Sequence, residues 1–169
     1  FLLNSKREAC LTLLRGRTAT ILIADDDQDD CVLIRDAFLE GSTATDLRFV
    51  ENGEALMEYL KRQGVYSDSV RSPRPHLILL DLNMPGKNGR DALLEIKSDP
   101  NLRAIPVVVL TTSRRQDDIL FSYDTGANSY ITKPVTYEEL VEVVKTLTQY
   151  WLETVELPVD SRRAPFGES

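Results

Sequence analysis

Apolar and polar positions divide the chain into short hydrophobic runs, each followed by a longer amphipathic segment. Three of the runs, at 21–23, 77–80 and 107–110, are continuous rather than alternating. Continuous runs of this length are typical of central strands in a parallel sheet that is covered on both faces. The runs predict five strands, over residues 20–24, 47–50, 77–80, 107–110 and 129–132.

After each run, apolar residues recur at the three- to four-residue spacing of an amphipathic helix. Five strand–helix repeats predict an α/β fold with helices on both faces of a parallel sheet. Gly53 is expected to begin the second helix and Gly64 to end it. Residues 135–150 are expected to form the fifth helix, with Thr136 as its N-cap and Glu139 three positions later.

This pattern leaves both ends of the chain unassigned. We expect residues 1–18 to be an N-terminal extension of unclear role, residues 19–150 to form the domain, and residues 151–169 to be a C-terminal extension. The 169 residues are 42% hydrophobic and 28% charged, which is the composition of an ordinary globular domain.

Charge and cysteine content narrow the class of protein. The formal net charge of −7 argues against direct binding to nucleic acid. No apolar run approaches the roughly 20 residues that span a bilayer, and no signal peptide is evident. Cys10 and Cys31 form neither a disulfide framework nor a metal motif. We therefore expect a cytoplasmic protein without membrane contact.

Residues suited to phosphoryl chemistry follow four of the five predicted strands. Ligands of open parallel sheets bind at the carboxyl ends of the strands, so these side chains should converge at one edge. They are Asp25, Asp26 and Asp27 after the first strand, Asp81 and Asn83 after the third, Thr111 after the fourth, and Lys133 after the fifth.

The chemistry of this set is specific. Clustered carboxylates repel one another and stay ionised only beside a compensating cation, and oxygen ligands favour Mg²⁺. A free carboxylate could then attack phosphorus in line, while Lys133 and Thr111 bind phosphoryl oxygens. The set includes no evident general base. We therefore expect an acyl phosphate that forms readily and hydrolyses slowly, rather than an enzyme that turns over.

The acidic residues also allow other interpretations. The acidic run at 25–30 could be a solvated helix start, which we expect for Asp29 and Asp30. Asp25 and Asp27 resemble the D-x-D motif of haloacid-dehalogenase-type phosphatases, an alternative that leaves Asp81 unexplained. A calcium loop fails, because the loop's sixth position is Asp30 rather than glycine. A scaffold that has this fold but accepts no phosphoryl group is the third alternative.

Four motifs carry a resemblance to the receiver domains of bacterial response regulators, over residues of about 20–155. They are ILIADDDQDD, LILLDLNMPGKNG, VVVLTTS and NSYITKP, in the order and spacing of that family. The resemblance implies a flavodoxin-like, doubly wound five-stranded parallel sheet in the order 2-1-3-4-5. It also implies a sensor histidine kinase as the phosphoryl donor.

The resemblance assigns roles by motif. Asp81 would be the phosphoacceptor, Lys133 the phosphate-binding lysine, and Thr111 and Tyr130 the switch residues. Mg²⁺ would be held by Asp25, Asp26, Asp81 and the backbone carbonyl of Asn83. The Lys133–Pro134 bond is expected to be cis.

The C-terminal part is similar to the stand-alone response regulators that partner phytochrome-type histidine kinases, which have no output domain. The segments LTTSRRQDDILFSYDTGANSYITKPV and YWLETVELP carry this similarity. It implies a homodimer through the fourth helix, fifth strand, fifth helix and C-terminal extension. Because apolar residues of the extension could instead fold back on their own domain, both interpretations stay open.

Overall fold

The computed structural model describes residues 18–41 and 44–158. The strands are β1 Ala19–Ala24, β2 Thr45–Val50, β3 Leu77–Leu80, β4 Val107–Thr111 and β5 Ser129–Thr132. The α-helices are α1 Gln28–Glu40, α2 Gly53–Lys61, α3 Gly89–Ser98, α4 Gln116–Thr125 and α5 Tyr137–Thr148, and a π-helix over Gln149–Thr154 continues α5. The expected extension at 1–18 lies outside the described residues except for Thr18, and so do residues 159–169 of the C-terminal extension.

The five strands form one parallel sheet in the order β2-β1-β3-β4-β5. The predicted fold class and strand order are therefore confirmed. Each predicted strand is present, although β1 and β2 begin earlier than predicted and β4 extends to Thr111.

Side chains that alternate along the central strands feed two separate apolar cores, one on each face of the sheet. On the first face, Leu22, Ile78 and Val109 pack with residues of α2 and α3. On the second face, Ile23 and Leu79 pack with residues of α1 and α5. Because both faces are covered, these strands have no solvated side, which explains why their sequences are continuous apolar runs.

Side-chain caps fix where α1, α2, α3 and α5 begin. Asp27 accepts hydrogen bonds from the backbone N–H groups of Asp29 and Asp30 at the start of α1. Thr136 accepts one from the N–H of Glu139 at the start of α5, which confirms the predicted N-cap. The expectation that Gly64 ends α2 was wrong. The helix ends at Lys61, because Arg62 takes the left-handed conformation (φ 55°) and its N–H bonds the last carbonyls of the helix.

The described part of the C-terminal extension packs against its own domain. Leu152 is 8% exposed, and Trp151 and Leu157 pack beside it on the core shared with α1 and α5. Tyr150 instead is 52% exposed, with its ring edge-on to Trp151 at 5.2 Å. Tyr150 therefore presents an exposed aromatic directly before the extension, in which Leu152 is buried. Within the described ranges, no helix is both long and apolar enough to cross a membrane.

His76, the single histidine of the chain, joins the loop before β3 to β1. Its ring Nδ1 accepts a hydrogen bond from the backbone N–H of Thr20 at 3.0 Å, and the backbone N–H of His76 donates to the Thr20 carbonyl. Burial lowers the pKa of His76 below its ordinary value. A proton on Nδ1 would also remove the acceptor that the Thr20 N–H uses.

We predict a pH dependence of stability that comes from His76. Above a pH of about 6.5, the ordinary histidine pKa, the ring is neutral in both the folded and the unfolded chain. As the pH falls through that value, the unfolded chain binds a proton that the folded chain resists, so stability is lost until the pH drops below the folded-state pKa. In His76→Asn, the Oδ1 atom can replace Nδ1 as the acceptor, but the side chain does not titrate. The free energies of unfolding of the native chain and of this variant, measured with denaturant, should therefore diverge as the pH falls from about 7.5 to 5.5. Parallel curves for the two proteins would contradict the prediction.

Candidate functional site

Residues from the ends of four strands meet at one edge of the sheet. The Asp81 N–H donates to the carbonyl of Ala24 at 2.9 Å, which places the end of β3 beside the end of β1. The Lys133 N–H donates to the carbonyl of Thr111 at 2.7 Å, which joins the ends of β4 and β5. The structure thus brings together all the strand-end residues that the sequence selected except Asp27: Asp25, Asp26, Asp81, Asn83, Thr111 and Lys133.

The Asp81 carboxylate is the centre of this group. Its side chain is 7% exposed, and both of its oxygens have partners. Oδ1 accepts hydrogen bonds from the Thr111 hydroxyl at 2.7 Å and the Asn83 N–H at 3.0 Å, while Oδ2 accepts one from Lys133 at 3.0 Å. The carboxylate is therefore fixed in orientation, with Thr111 on one oxygen and Lys133 on the other.

Lys133 contacts three carboxylates at once. Its Nζ lies 2.7 Å from Asp25 Oδ2, 2.7 Å from Asp30 Oδ2 and 3.0 Å from Asp81 Oδ2, and its side chain is only 10% exposed. Burial by itself lowers the pKa of Lys133, but hydrogen bonds to Asp25 and Asp30 outweigh it and raise the pKa above the ordinary value. The ammonium is therefore charged at any physiological pH.

Negative charge exceeds positive charge in this pocket. Burial raises the pKa of Asp25, and the hydrogen bond and charge of Lys133 offset that effect only in part. One ammonium thus stands against the carboxylates of Asp25, Asp30 and Asp81. A second cation would relieve the imbalance.

Asp26, together with Asp25 and Asp81, forms a group that can hold such a cation. Asp25, Asp26 and Asp81 each offer an oxygen, and the three oxygens lie within 4.8 Å of one another. Asp26 is exposed, whereas Asp25 and Asp81 are buried, so the group opens to solvent on one side. An oxygen-only donor set with an open side fits a hard divalent cation that keeps several waters. The role of the Asn83 carbonyl as a further ligand stays a prediction.

Asp30 is the site residue that sequence reasoning missed. It was expected to be part of a solvated helix start, as Asp29 is, and that interpretation was wrong for Asp30. The first turn of α1 lies beside the end of β5, so Asp30 Oδ2 reaches Lys133 across 103 positions of sequence. The available signal was the nearness of this turn to the acidic end of β1.

Asp27 has a structural role instead of a chemical one. It is exposed, and its Oδ1 accepts from the N–H groups of Asp29 at 2.9 Å and Asp30 at 3.2 Å, which caps α1. A phosphatase of the D-x-D type would need this carboxyl as its acid, so the geometry does not favour that alternative.

Tyr130 connects the site to the segment after β4. It is half-buried, its hydroxyl donates to the Ser113 carbonyl at 3.0 Å, and burial raises its pKa. Ser113 donates in turn to the buried Asp118 of α4, which pairs with Arg90 at 2.9 Å. In this arrangement the Tyr130 hydroxyl lies on the β4–α4 connection, two residues beyond Thr111.

The expectation of a cis Lys133–Pro134 bond was wrong for this structure, in which that bond is trans. The trans form is favoured by about 0.5–1 kcal/mol for a bond to proline, and Lys133 reaches all three carboxylates with it.

The chain is similar to known proteins over most of its length. A sequence model of the response regulator receiver domain family matches residues 21–145. The chain is 44% identical to the response regulator Rcp1 of Synechocystis sp. over 138 residues, which are 82% of this chain and 92% of Rcp1.

The solved structures that are similar to this chain include two response regulators. The phosphorylated cyanobacterial phytochrome response regulator RcpA has a TM-score of 0.79 and 43% identity, covering 84% of this chain and 99% of that one. The Mn²⁺-bound form of Rcp1 has a TM-score of 0.77 and 42% identity, covering 83% and 99%.

We predict that a divalent cation stabilises the fold through the Asp25–Asp26–Asp81 group. At ten times its dissociation constant, Mg²⁺ should raise the free energy of unfolding by about 1.4 kcal/mol. Asp26→Asn should reduce this gain, since Asp26 is the exposed member and its replacement disturbs no core. Asp29→Asn removes the same charge three residues away and is the matched control. Equal gains in the two variants, measured by thermal denaturation, would rule out the assignment.

Proposed function

Because the chain belongs to the response regulator receiver domain family, we propose that it is a two-component response regulator whose Asp81 accepts a phosphoryl group from a histidine kinase. A carboxylate oxygen of Asp81 forms a bond to phosphorus while the bond from phosphorus to the donor imidazole breaks. The observation that carries the proposal is the setting of Asp81, which is buried between Thr111 and Lys133 and beside two further carboxylates.

The neighbouring residues divide the work. Lys133 would bind a phosphoryl oxygen through its ammonium, and the Thr111 hydroxyl would bind another once Asp81 no longer holds it. Asp25, Asp26, Asp81 and the Asn83 carbonyl would hold Mg²⁺, which neutralises charge on the transferred group when it is bound.

We propose slow hydrolysis of this phosphoryl group rather than catalytic turnover. The groups that contact the Asp81 oxygens in the described part of the chain are the Thr111 hydroxyl, the Asn83 N–H and the Lys133 ammonium. All three are hydrogen-bond donors, and a water molecule would need a base. The same complete set argues against the alternative of a degenerate receiver that serves only as a scaffold.

The proposed phosphoryl donor is a kinase of the phytochrome type. The support is similarity, since RcpA is described as a cyanobacterial phytochrome response regulator and shares 43% of its sequence with this chain. Because such a kinase draws its phosphoryl group from ATP, the proposal places the chain in the cytoplasm. With a formal net charge of −7, we do not propose direct contact with nucleic acid.

The proposed switch passes from Thr111 to Tyr130. Phosphorylation would draw the Thr111 hydroxyl away from Asp81 Oδ1, where it now lies at 2.7 Å. That motion pulls on the β4–α4 connection, whose Ser113 carbonyl holds the Tyr130 hydroxyl. Tyr130 would then turn inward, driven by the new charge-assisted hydrogen bonds at the phosphoryl group.

The proposed assembly is a homodimer built on α4, β5, α5 and the extension at 151–169. Leu120 and Tyr123 on α4 are 63% and 50% exposed, and Tyr150 before the extension is 52% exposed. Exposed aromatics beside an aliphatic residue are common interface anchors, and a two-fold contact would use them twice.

Labelling by a small phosphodonor tests the phosphoacceptor. With acetyl phosphate and Mg²⁺, the native chain should take up one phosphoryl group per molecule, and Asp81→Asn should take up none. Asp29→Asn, an exposed carboxylate of α1, is the control and should label normally. Undiminished labelling of Asp81→Asn would contradict the assignment, and sustained release of p-nitrophenol from p-nitrophenyl phosphate would instead favour the phosphatase alternative.

Nuclear magnetic resonance with beryllofluoride, a mimic of the phosphoryl group, tests the switch. The signals of the Thr111 methyl and the Tyr130 ring should both shift when it binds. Thr111→Val keeps the shape of the side chain but loses the hydroxyl, so it should bind beryllofluoride while the Tyr130 ring no longer responds. If the Tyr130 ring responds equally in both proteins, Thr111 does not carry the coupling.

Sedimentation tests the dimer. A chain that ends at Gln149 would lose the buried Leu152, so a point substitution at the exposed Tyr150 is the cleaner variant. Tyr150→Ala should weaken the dimer about ten-fold or more. Val65→Ala, at a side chain that is 82% exposed in the short 3₁₀ helix Gly64–Tyr66, should leave the dimer unchanged. A native chain that stays monomeric at micromolar concentrations, phosphorylated or not, would refute the assembly.

A further inference from the structure

Asp30 contacts Lys133 of the proposed phosphorylation site, but the proposed function gives it no role. Its Oδ2 lies 2.7 Å from Lys133 Nζ, as close as Asp25 and closer than Asp81. It is not one of the three carboxylates whose oxygens converge for a cation. Its side chain is 33% exposed, against 2% for Asp25 and 7% for Asp81. Asp30 therefore touches the lysine from the solvent side of the pocket.

The hydrogen-bonding capacity of Lys133 makes this contact informative. A lysine ammonium has three N–H donors, and here three carboxylates take them. Two of those carboxylates would change in the proposed function, since Asp81 would become the acyl phosphate and Asp25 would ligate the cation. Asp30 is the partner that neither event removes.

We propose that Asp30 is a positioning residue that holds the Lys133 ammonium beside Asp81 while the phosphoryl group is transferred. This inference rests on the proposed function of Asp81. Asp30 itself touches neither the phosphoryl group nor the cation, and it acts through Lys133 alone.

The physical reason is the freedom of the lysine side chain. Lysine has a flexible four-carbon stem that carries about 2 kcal/mol of rotamer entropy. An anchor at Asp30 restricts the ammonium before the phosphodonor arrives, so less freedom is lost during transfer. One donor on Asp30 leaves two for a phosphoryl oxygen and for the remaining carboxylate oxygen.

The test compares phosphorylation rates of variants in the full chain. Rates are measured with acetyl phosphate over a range of Mg²⁺ concentrations, which separates the rate of transfer from half-saturation by the cation. The variants are Asp30→Ala, Asp30→Asn, the matched control Asp29→Ala, Lys133→Met, and Asp30→Ala combined with Lys133→Met. Thermal denaturation establishes that each is folded.

Asp30→Ala should lower the rate about ten-fold, roughly the contribution of one charge-assisted hydrogen bond, with half-saturation by Mg²⁺ unchanged. The rate of Asp30→Asn should lie between those of the native chain and Asp30→Ala, because its amide oxygen accepts a weaker hydrogen bond. The rate of Asp29→Ala should match that of the native chain. In the Lys133→Met background, Asp30→Ala should have no further effect, since its action passes through the lysine. The Lys133 Nζ protons should also exchange faster with solvent in Asp30→Ala, which tests the anchor without phosphorylation.

Several results would overturn the proposal. An unchanged rate would show that Asp30 is a bystander, and a faster one would show that it competes for the lysine. A higher Mg²⁺ concentration at half-saturation in Asp30→Ala would assign Asp30 to the cation site. A further loss of rate in the Lys133→Met background would show that Asp30 acts by another route. If the native chain is not phosphorylated at Asp81 at all, the proposed function fails first; if it is and Asp30→Ala behaves like it, only the positioning role fails.

Discussion

The pocket at the carboxyl edge of the sheet depends on a single ammonium group. Lys133 lies within 3.0 Å of Asp25 at the end of β1, Asp30 in the first turn of α1 and Asp81 at the end of β3. Without that charge the carboxylates would repel one another where burial weakens solvation, and removing one member of a buried charged group costs roughly 3–5 kcal/mol. The three carboxylates outnumber the one ammonium, which is why the site suits a divalent cation. Such a cation and Lys133 together would offset the charge of a phosphoryl group.

The fold delivers these side chains because parallel strands end at the same edge. The continuous apolar runs of β1, β3 and β4 are buried on both faces, so the charged side chains of the site follow only where these runs stop. Close packing then fixes the loops: a Cβ atom on Gly89, where α3 begins, would lie 2.0 Å from the Asp81 carbonyl oxygen. A glycine there lets α3 start directly against the backbone of Asp81.

Sequence reasoning recovered the parts of this arrangement that depend on local pattern. Strand positions and strand-end residues such as Asp25 and Lys133 follow from runs and their endings, and the strand order followed from the family motifs. The contact between Asp30 and Lys133 did not, because it spans 103 positions and depends on how α1 packs. The division of the C-terminal segment into a buried Leu152 and an exposed Tyr150 was equally hidden, since both are hydrophobic and only the packing against α1 and α5 separates them.

The chemistry of an acyl phosphate offers the most direct test of the account. Borohydride reduces an aspartyl phosphate to homoserine and leaves free carboxylates intact, so peptide mass spectrometry after phosphorylation and reduction locates the modified residue. The account predicts homoserine at position 81 and intact aspartates at positions 25, 26 and 30. Homoserine at position 25 or 26, or phosphate retained on a serine, threonine or histidine, would contradict it.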